Sequence, residues 1–266
     1  MGEYSKALSS FERSLEIRKI ALPPNHPDLA FSYTGIALVY NNMGQYSKAL
    51  SSSERSLEIR KIALPPNHPD LAYSYYSIGL VYNNMGEYSK ALSLHEQSLE
   101  IRKIALPPNH SDLAFSYTGI ALVYNNMGQY SKALSSSERS LEIRKTALPQ
   151  NHPDLATSYN DIGLVYDNMS EYSKALSSQE RSLEIRKIAL PPDHPDFAQS
   201  YNNIENDKDS SIISNTNKDT KVIFERLLST TLFSIKSVVS LISTQDLLKN
   251  LEETLNYFQS TFNVQK

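Results

Sequence analysis

The sequence predicts an all-α protein in which pairs of helices stack into an α-solenoid. Three observations carry this prediction. The residues between successive methionines match almost letter for letter, so the chain repeats itself every 42 residues, at Met1, Met43, Met85, Met127 and Met169. Such a period is typical of arrays of stacked helical units. Apolar residues follow the 3.6-residue spacing of a helix, and proline and glycine recur where each helix has to end.

Residues 27–42 predict the first helix of a unit. Tyr33, Ile36, Ala37 and Tyr40 fall at i, i+3, i+4 and i+7, which places them on one helical face instead of alternating as in a strand. No strand is therefore expected.

The ends of this first helix carry clear signals. His26 or Asn25 is expected to cap its start, Pro27 lacks an N–H where none is needed, and Asp28 places a carboxylate at the positive end of the helix dipole. Gly44 then supplies the left-handed residue that ends a helix.

Residues 45–64 predict the second helix, which Pro65 and Pro66 stop. Its charged residues, Arg60 among them, are expected on the polar side. A small residue of the first helix is expected to face the second helix in each unit, so that the two backbones can approach closely: Ala37, Gly79, Ala121 and Gly163.

The array is predicted to span residues 1–205, with four full units and a partial unit at each end. Residues 2–22 read as a second helix without a first helix before it. At the other end a fifth unit begins, but Glu205 occupies the small-residue position and Lys208 the tyrosine position.

A different segment is predicted beyond the array. Residues 206–220 are rich in Asp, Asn, Ser and Thr and indicate a polar linker. Residues 221–266 predict an α-helical tail of unknown family, folded as a separate hairpin. Glu225, Arg226 and Lys236 interrupt its apolar stripe, so a membrane span is not expected.

Composition excludes several classes of function. The formal net charge of −3 provides no basic field for phosphates, so nucleic acid is not an expected partner. The absence of cysteine excludes a thiolate nucleophile and thiolate-held metals, and fits a cytoplasmic location.

Five histidines recur with the repeat, but they do not predict a metal site. Equivalent positions in stacked helices lie roughly 8–10 Å apart, whereas ligands that share a zinc ion each lie about 2 Å from it. No nucleophile–base pair or phosphate loop stands out either. We therefore expect no cofactor, no metal and no enzymatic activity.

The chain resembles the tetratricopeptide repeat in the 42-residue form of kinesin light chains. The motifs that carry the resemblance are Asn-His-Pro-Asp-Leu-Ala, Gly-x-Tyr-x-x-Ala-Leu and Ser-Leu-Glu-Ile-Arg, and they cover roughly residues 1–205. The resemblance implies a right-handed solenoid whose first helices line a concave groove that holds a peptide or a partner domain.

The candidate binding residues are the first-helix side chains that point off the apolar stripe. Asparagine supplies donors and acceptors to an extended peptide, and aromatic rings offer apolar contact at low entropic cost. The asparagines that end each first helix have a purely structural alternative, because asparagine tolerates a turn. The predicted set is Phe31, Thr34, Asn41, Tyr73, Tyr76, Asn83, Phe115, Thr118, Asn125, Thr157, Asn160, Asp167, Gln199 and Asn202.

The resemblance also suggests a class of partner. Kinesin light chains hold cargo adaptor peptides in this groove, with an asparagine pair and nearby basic residues that read acidic motifs. Here only Asn202 and Asn203 keep both asparagines, and none of the predicted inner positions is Lys or Arg. The heptad coiled coil that joins such chains to kinesin heavy chain is also missing, so a cargo adaptor is the better expectation.

Two other functions stay open from the sequence alone. The incomplete units at both ends are complementary, so chains could stack head to tail as a structural module. Alternatively, the sequence is a fragment of a larger enzyme that carries such repeats.

Overall fold

The computed structural model describes residues 2–239, 249, 251–257 and 260, and the described part of the chain contains helices and no strand. The predicted all-α solenoid of helix pairs is confirmed. The helices are α1 (Gly2–Ala21), α2 (Pro27–Asn42), α3 (Tyr46–Ala63), α4 (Pro69–Asn84), α5 (Tyr88–Ala105), α6 (Ser111–Asn126), α7 (Tyr130–Ala147), α8 (Pro153–Asn168), α9 (Tyr172–Ala189) and α10 (Asp196–Val239).

The recurring histidines cap the first helices. His26 Nδ1 accepts a hydrogen bond from the backbone N–H of Asp28 at 3.2 Å, and His68 does the same for Asp70 at 3.1 Å. The copies at His110, His152 and His194 repeat this contact. Each cap satisfies one of the donors that a helix leaves open at its start. The histidine row thus has a structural role, and the described residues contain no group of three or more potential metal ligands.

The turn after each first helix requires a left-handed residue. Gly44, Gly86 and Gly128 have φ angles of 70°, 77° and 71°, and Ser170 occupies the fourth turn with φ 59°. A Cβ added at any of the three glycines would meet no atom within 4 Å, so the strain at Ser170 comes from the backbone and not from a clash.

Ser170→Gly is therefore expected to raise the free energy of unfolding by about 1 kcal/mol, because it removes a side chain from the left-handed region. Gly86→Ser is the matched reverse substitution and is expected to lower stability by a similar amount. Urea unfolding of both variants measures the two changes. An unchanged midpoint for both would contradict the argument from backbone strain.

The core lies between helices of one unit and of the next. One cluster joins Leu15 of α1, Leu29 and Ile36 of α2, and Ile59 of α3, and equivalent clusters recur along the array. Ala37, Gly79, Ala121 and Gly163 are all buried.

First helices of successive units lie next to each other on one face of the array. The first helix of one unit contacts the first helix of the next, α2 with α4 and α4 with α6, more extensively than successive second helices contact each other. The side chains of α2, α4, α6 and α8 that point away from the core therefore line the inner face of the solenoid.

Residues 206–220, predicted as a polar linker, are helical in the structure, and α10 runs through them from Asp196 to Val239. Neither glycine nor proline follows Pro195, so nothing in the sequence ends the helix. The polar side chains bond back to the helix itself: Thr216 Oγ1 donates to the carbonyl of Ile212, and Thr220 Oγ1 to that of Thr216.

The chain divides into two compact units, Met1–Lys208 and Asp209–Lys266. In the second unit the end of α10 and residues 251–257 are helical. The turn of the predicted hairpin, at residues 240–248, lies outside the described residues. Nowhere in the described part does a helix combine the length and apolar character that a bilayer crossing needs.

Candidate functional site

An exposed apolar row runs along the inner face. Phe31, Tyr73 and Phe115 are 59%, 43% and 38% exposed, and they occupy the same position in α2, α4 and α6. Seven residues further on, on the same helical face, the leucines of the array form a second exposed row: Leu38, Leu122 and Leu164. The sequence prediction omitted these leucines, although their i+7 spacing from the aromatic position would have found them.

The asparagines at the ends of the first helices form a ladder across the inner face. Asn84 Nδ2 donates to Asn41 Oδ1 at 3.0 Å, and the pairs Asn126–Asn83 and Asn168–Asn125 repeat this bond at the same distance. The second asparagine of each pair therefore joins neighbouring units. The first asparagine of each pair accepts this hydrogen bond through its side-chain carbonyl oxygen. Asn83 is also buried.

Another predicted position packs against a neighbouring helix instead of facing the open groove. Thr34 Oγ1 lies 2.9 Å from Ser56 Oγ, and Thr118 Oγ1 lies 3.0 Å from Ser140 Oγ. In the other copies Tyr76 is partly buried with its ring against His95, and Asn160 accepts a hydrogen bond from Asn203. By contrast, Thr157, Gln199 and Asn202 are exposed and Asp167 is half-buried.

Buried guanidinium groups lie behind the aromatic row. Arg60, predicted on the polar side of its helix, is buried and donates to Ser74 Oγ of the next first helix at 2.7 Å. Each copy repeats this bond between units, at Arg18, Arg102, Arg144 and Arg186. Burial lowers the pKa of Arg60, Arg102 and Arg144.

The same arginines contact the exposed rings. The Arg60 Cζ lies 5.9 Å from the ring centre of Tyr73, and the Arg144 Cζ lies 5.3 Å from that of Phe115. Sequence periodicity missed these arginines because a long side chain with a polar end was assigned to solvent.

A family comparison agrees with this architecture. A model described as tetratricopeptide repeat matches residues 1–62, 34–104 and 108–188. The chain belongs to the tetratricopeptide repeat family. The predicted resemblance to the tetratricopeptide repeat is thereby confirmed. A search of curated proteins finds no match to this tetratricopeptide chain.

Solved structures share the fold at low sequence identity. A putative kinesin light chain from Podosopora anserina with nearly identical repeats is 22% identical, with a TM-score of 0.60, over 77% of this chain and 95% of that one. BtubC (BKLC) from P. vanneervenii is 20% identical, with a TM-score of 0.62, over 79% and 82%. The apo form of RapI is 20% identical, with a TM-score of 0.56, over 70% and 65%.

His95 is the most enclosed titratable group of the tetratricopeptide array. It is fully buried in α5, and neither Nδ1 nor Nε2 has a hydrogen-bond partner within the described residues. Its ring centre lies 5.1 Å from that of Tyr76. Burial, and then the charge of Arg102, lowers the pKa of His95 to about 4. The side chain is therefore neutral at pH 7.

The charges of the first helices differ between the two ends of the array. None of α2, α4, α6 and α8 contains lysine or arginine, and α8 carries two carboxylates, Asp161 and Asp167, beyond its first turn. Burial raises the pKa of Asp161 to about 6, opposed by the nearby charge of Arg144. Burial, and then the charge of Asp167, raises the pKa of Asp207 to about 6 as well.

Proposed function

We propose that this tetratricopeptide protein is a non-catalytic interaction scaffold that binds an extended peptide along the inner face of α2, α4, α6 and α8. The observation that carries the proposal is the row of exposed apolar side chains on these helices, led by Phe31, Tyr73 and Phe115. Repeat proteins commonly use their extended concave surfaces to bind partners.

The groove is organised before a ligand arrives. Aromatic rings have few rotatable bonds, and contact with the buried arginines holds them further in place. The asparagine ladder fixes Asn41 and Asn125 through their carbonyl oxygens. Their amide N–H groups then serve as donors to the carbonyls of an extended peptide. Because the side chains of the groove are already ordered, binding costs little conformational entropy, and a modest contact area is enough for measurable affinity.

Binding of a cargo adaptor in microtubule-based transport is a narrower role within this function. It is supported by the repeat type and by the structural likeness to a chain named putative kinesin light chain. The lack of cysteine supports a cytoplasmic setting, since a reducing compartment makes disulfides rare.

A peptide selection tests the proposal directly. A phage library of random dodecapeptides is selected on the wild-type chain, and the affinities of the enriched peptides are measured by titration calorimetry. The groove variant, Phe31→Ser with Tyr73→Ser and Phe115→Ser, is expected to bind them at least about tenfold more weakly, because exposed aromatic anchors dominate such contacts.

The control variant replaces three equally exposed apolar residues of the second helices. It carries Ile62→Ser, Ile104→Ser and Ile188→Ser, at positions that are 66%, 66% and 67% exposed. This variant is expected to bind within about twofold of wild type. Equal binding of the selected peptides by the groove variant and the wild type would refute the proposal. Tyr76 and Asn83 are unsuitable for the test because both are packed between units.

A further inference from the structure

The three exposed rings of the inner face lie one unit apart. Phe31, Tyr73 and Phe115 occupy the same position in α2, α4 and α6, and α4 contacts both α2 and α6. Neighbouring packed helices lie roughly 8–10 Å apart, so the rings are expected to repeat at that distance. A peptide that contacts all three rings therefore needs apolar groups on one side, with the same repeat.

Polyproline II is the extended conformation that provides this repeat. A β-strand places side chains on one face at every second residue, which is about 6.6 Å, or at every fourth, which is about 13 Å. A polyproline II helix has three residues per turn and advances about 3.1 Å per residue, so every third side chain lies on the same face about 9.3 Å further on. The spacing of the rings thus favours polyproline II over a β-strand.

The asparagine ladder argues against an α-helical ligand. Asn41 and Asn125 accept hydrogen bonds from the next unit through their side-chain oxygens, so the ladder does not use their own amide N–H groups. Each lies three residues beyond an exposed leucine, Leu38 or Leu122, on the same side of its helix. An α-helix keeps its carbonyls in its own hydrogen bonds, whereas polyproline II has no internal hydrogen bonds and leaves its carbonyls free.

The polar groups near the rings favour proline in the ligand. The ladder occupies the side-chain oxygens of Asn41 and Asn125 and leaves their N–H groups as donors. The hydroxyl groups of Thr34 and Thr118 already contact serines of the second helices. Proline has a carbonyl and no N–H, so a proline-rich chain accepts from these donors without adding backbone donors that need partners.

The charges of α2, α4 and α6 fit an uncharged ligand. Each of these helices carries a single charged residue, an aspartate in its first turn. No side chain on the rest of these three helices therefore provides a charge for a ligand to pair with.

We propose that the peptide bound by this groove is a proline-rich segment in the polyproline II conformation, with every third residue on one of the rings of Phe31, Tyr73 and Phe115. This inference rests on the proposed function, since it specifies the ligand of the same groove. Aromatic-lined grooves suit such segments because polyproline II forms before binding and costs little entropy. The aromatic position is Thr157 in α8, so three rings define a core of about seven ligand residues.

Dodecaproline with a fluorescein label is the defined probe, because it adopts polyproline II without a partner. Titration by fluorescence anisotropy is expected to show saturable binding to the wild-type chain. The groove variant is expected to bind at least about tenfold more weakly, and the control variant within about twofold of wild type. A labelled peptide of the same length with alternating glycine and serine is flexible, and wild type is expected to bind it at least about tenfold more weakly than dodecaproline.

A second variant, Asn41→Asp with Asn125→Asp, isolates the amide donors. Aspartate keeps an oxygen that can accept the ladder bond, and Asp167 already occupies this position in α8, so the variant is expected to fold with an unchanged circular dichroism spectrum. It removes the N–H groups that would donate to the carbonyls of the peptide. The variant is expected to bind dodecaproline about tenfold more weakly than wild type.

The outcomes separate the two proposals. If the groove variant binds the peptides selected from the library as tightly as wild type does, the proposed function is refuted. If those peptides depend on the three rings but dodecaproline does not bind saturably, or binds the groove variant equally, the groove is retained and the proline-rich ligand is refuted. Equal binding of the glycine–serine peptide, or undiminished binding by the aspartate variant, would also overturn the inference.

Discussion

Gly119→Ala is expected to lower the free energy of unfolding by about 1–3 kcal/mol, the usual result of overpacking a filled core. The sign is opposite to the ordinary effect of this substitution, because alanine in a helix interior is favoured over glycine by about 1 kcal/mol. A Cβ at residue 119 would lie 2.7 Å from His95 Nδ1 and 2.9 Å from Tyr76 Cε2. Two rings would have to move, and both are confined by neighbouring helices.

The repeat shows a related compensation on the other side of His95, where this residue faces the first helix of its own unit. Ser53 and Ser137 occupy the position of His95 in other second helices, and there the first helix of the same unit carries Ala37 or Ala121. In the two units whose second helix carries His95 or Gln179, the first helix carries Gly79 or Gly163 in place of alanine. A large side chain on one helix is thus matched by a missing one on its neighbour, so the local volume is conserved.

A double-mutant cycle measures this coupling. In the background of His95→Ser, Gly119→Ala is expected to cost much less, because one of the two rings is gone and the Tyr76 ring, which packs against His95, gains room to move away from the new Cβ. A coupling energy of about 1–3 kcal/mol should separate the two backgrounds, as is usual for residues in contact. Urea unfolding gives the midpoints, and hydrogen exchange of α5 and α6 localises the change. Equal costs in both backgrounds would show that the rings do not confine residue 119.

The fold was predictable because its determinants are local and repeated. The proline and glycine positions set the helix ends, and the 3.6-residue spacing set the buried face, so one unit predicted the others. The same reasoning failed at residues 206–220. Composition suggested a linker, yet neither proline nor glycine interrupts these residues, and α10 continues through them.

The site was predictable only in part, because side-chain contacts between units are not local in the sequence. The exposed positions of Phe31, Tyr73 and Phe115 followed from the helical face. Arg60 did not, because its burial depends on Ser74 of the next unit. The burial of Asp207 also escaped notice, since a single aspartate in a polar stretch gives no sign that it takes the place of a buried valine.

Acidification from pH 7 to pH 4 is expected to destabilise the centre of the array through His95. Its pKa lies near 6.5 in an unfolded chain and about 4 in the folded protein. Above pH 6.5 His95 is neutral in both the folded and the unfolded protein, so its titration does not reduce the stability. Between pH 6.5 and pH 4 the unfolded state binds a proton that the folded state excludes, so stability falls with pH. The loss approaches about 3 kcal/mol at pH 4.

His95→Gln isolates this contribution, because glutamine occupies the same position in α9 as Gln179. Asp161 and Asp207 act in the opposite direction, since a raised carboxyl pKa makes folding more favourable as the pH falls through about 6. Both aspartates are present in the wild type and in the His95→Gln variant, so their effect cancels when the two proteins are compared. A stacked array opens in parts, and for this reason the measurement is hydrogen exchange of α5 and α6 between pH 7 and pH 4. Wild type is expected to lose protection relative to His95→Gln as the pH falls, and a constant difference would mean that His95 accepts its proton inside the folded array.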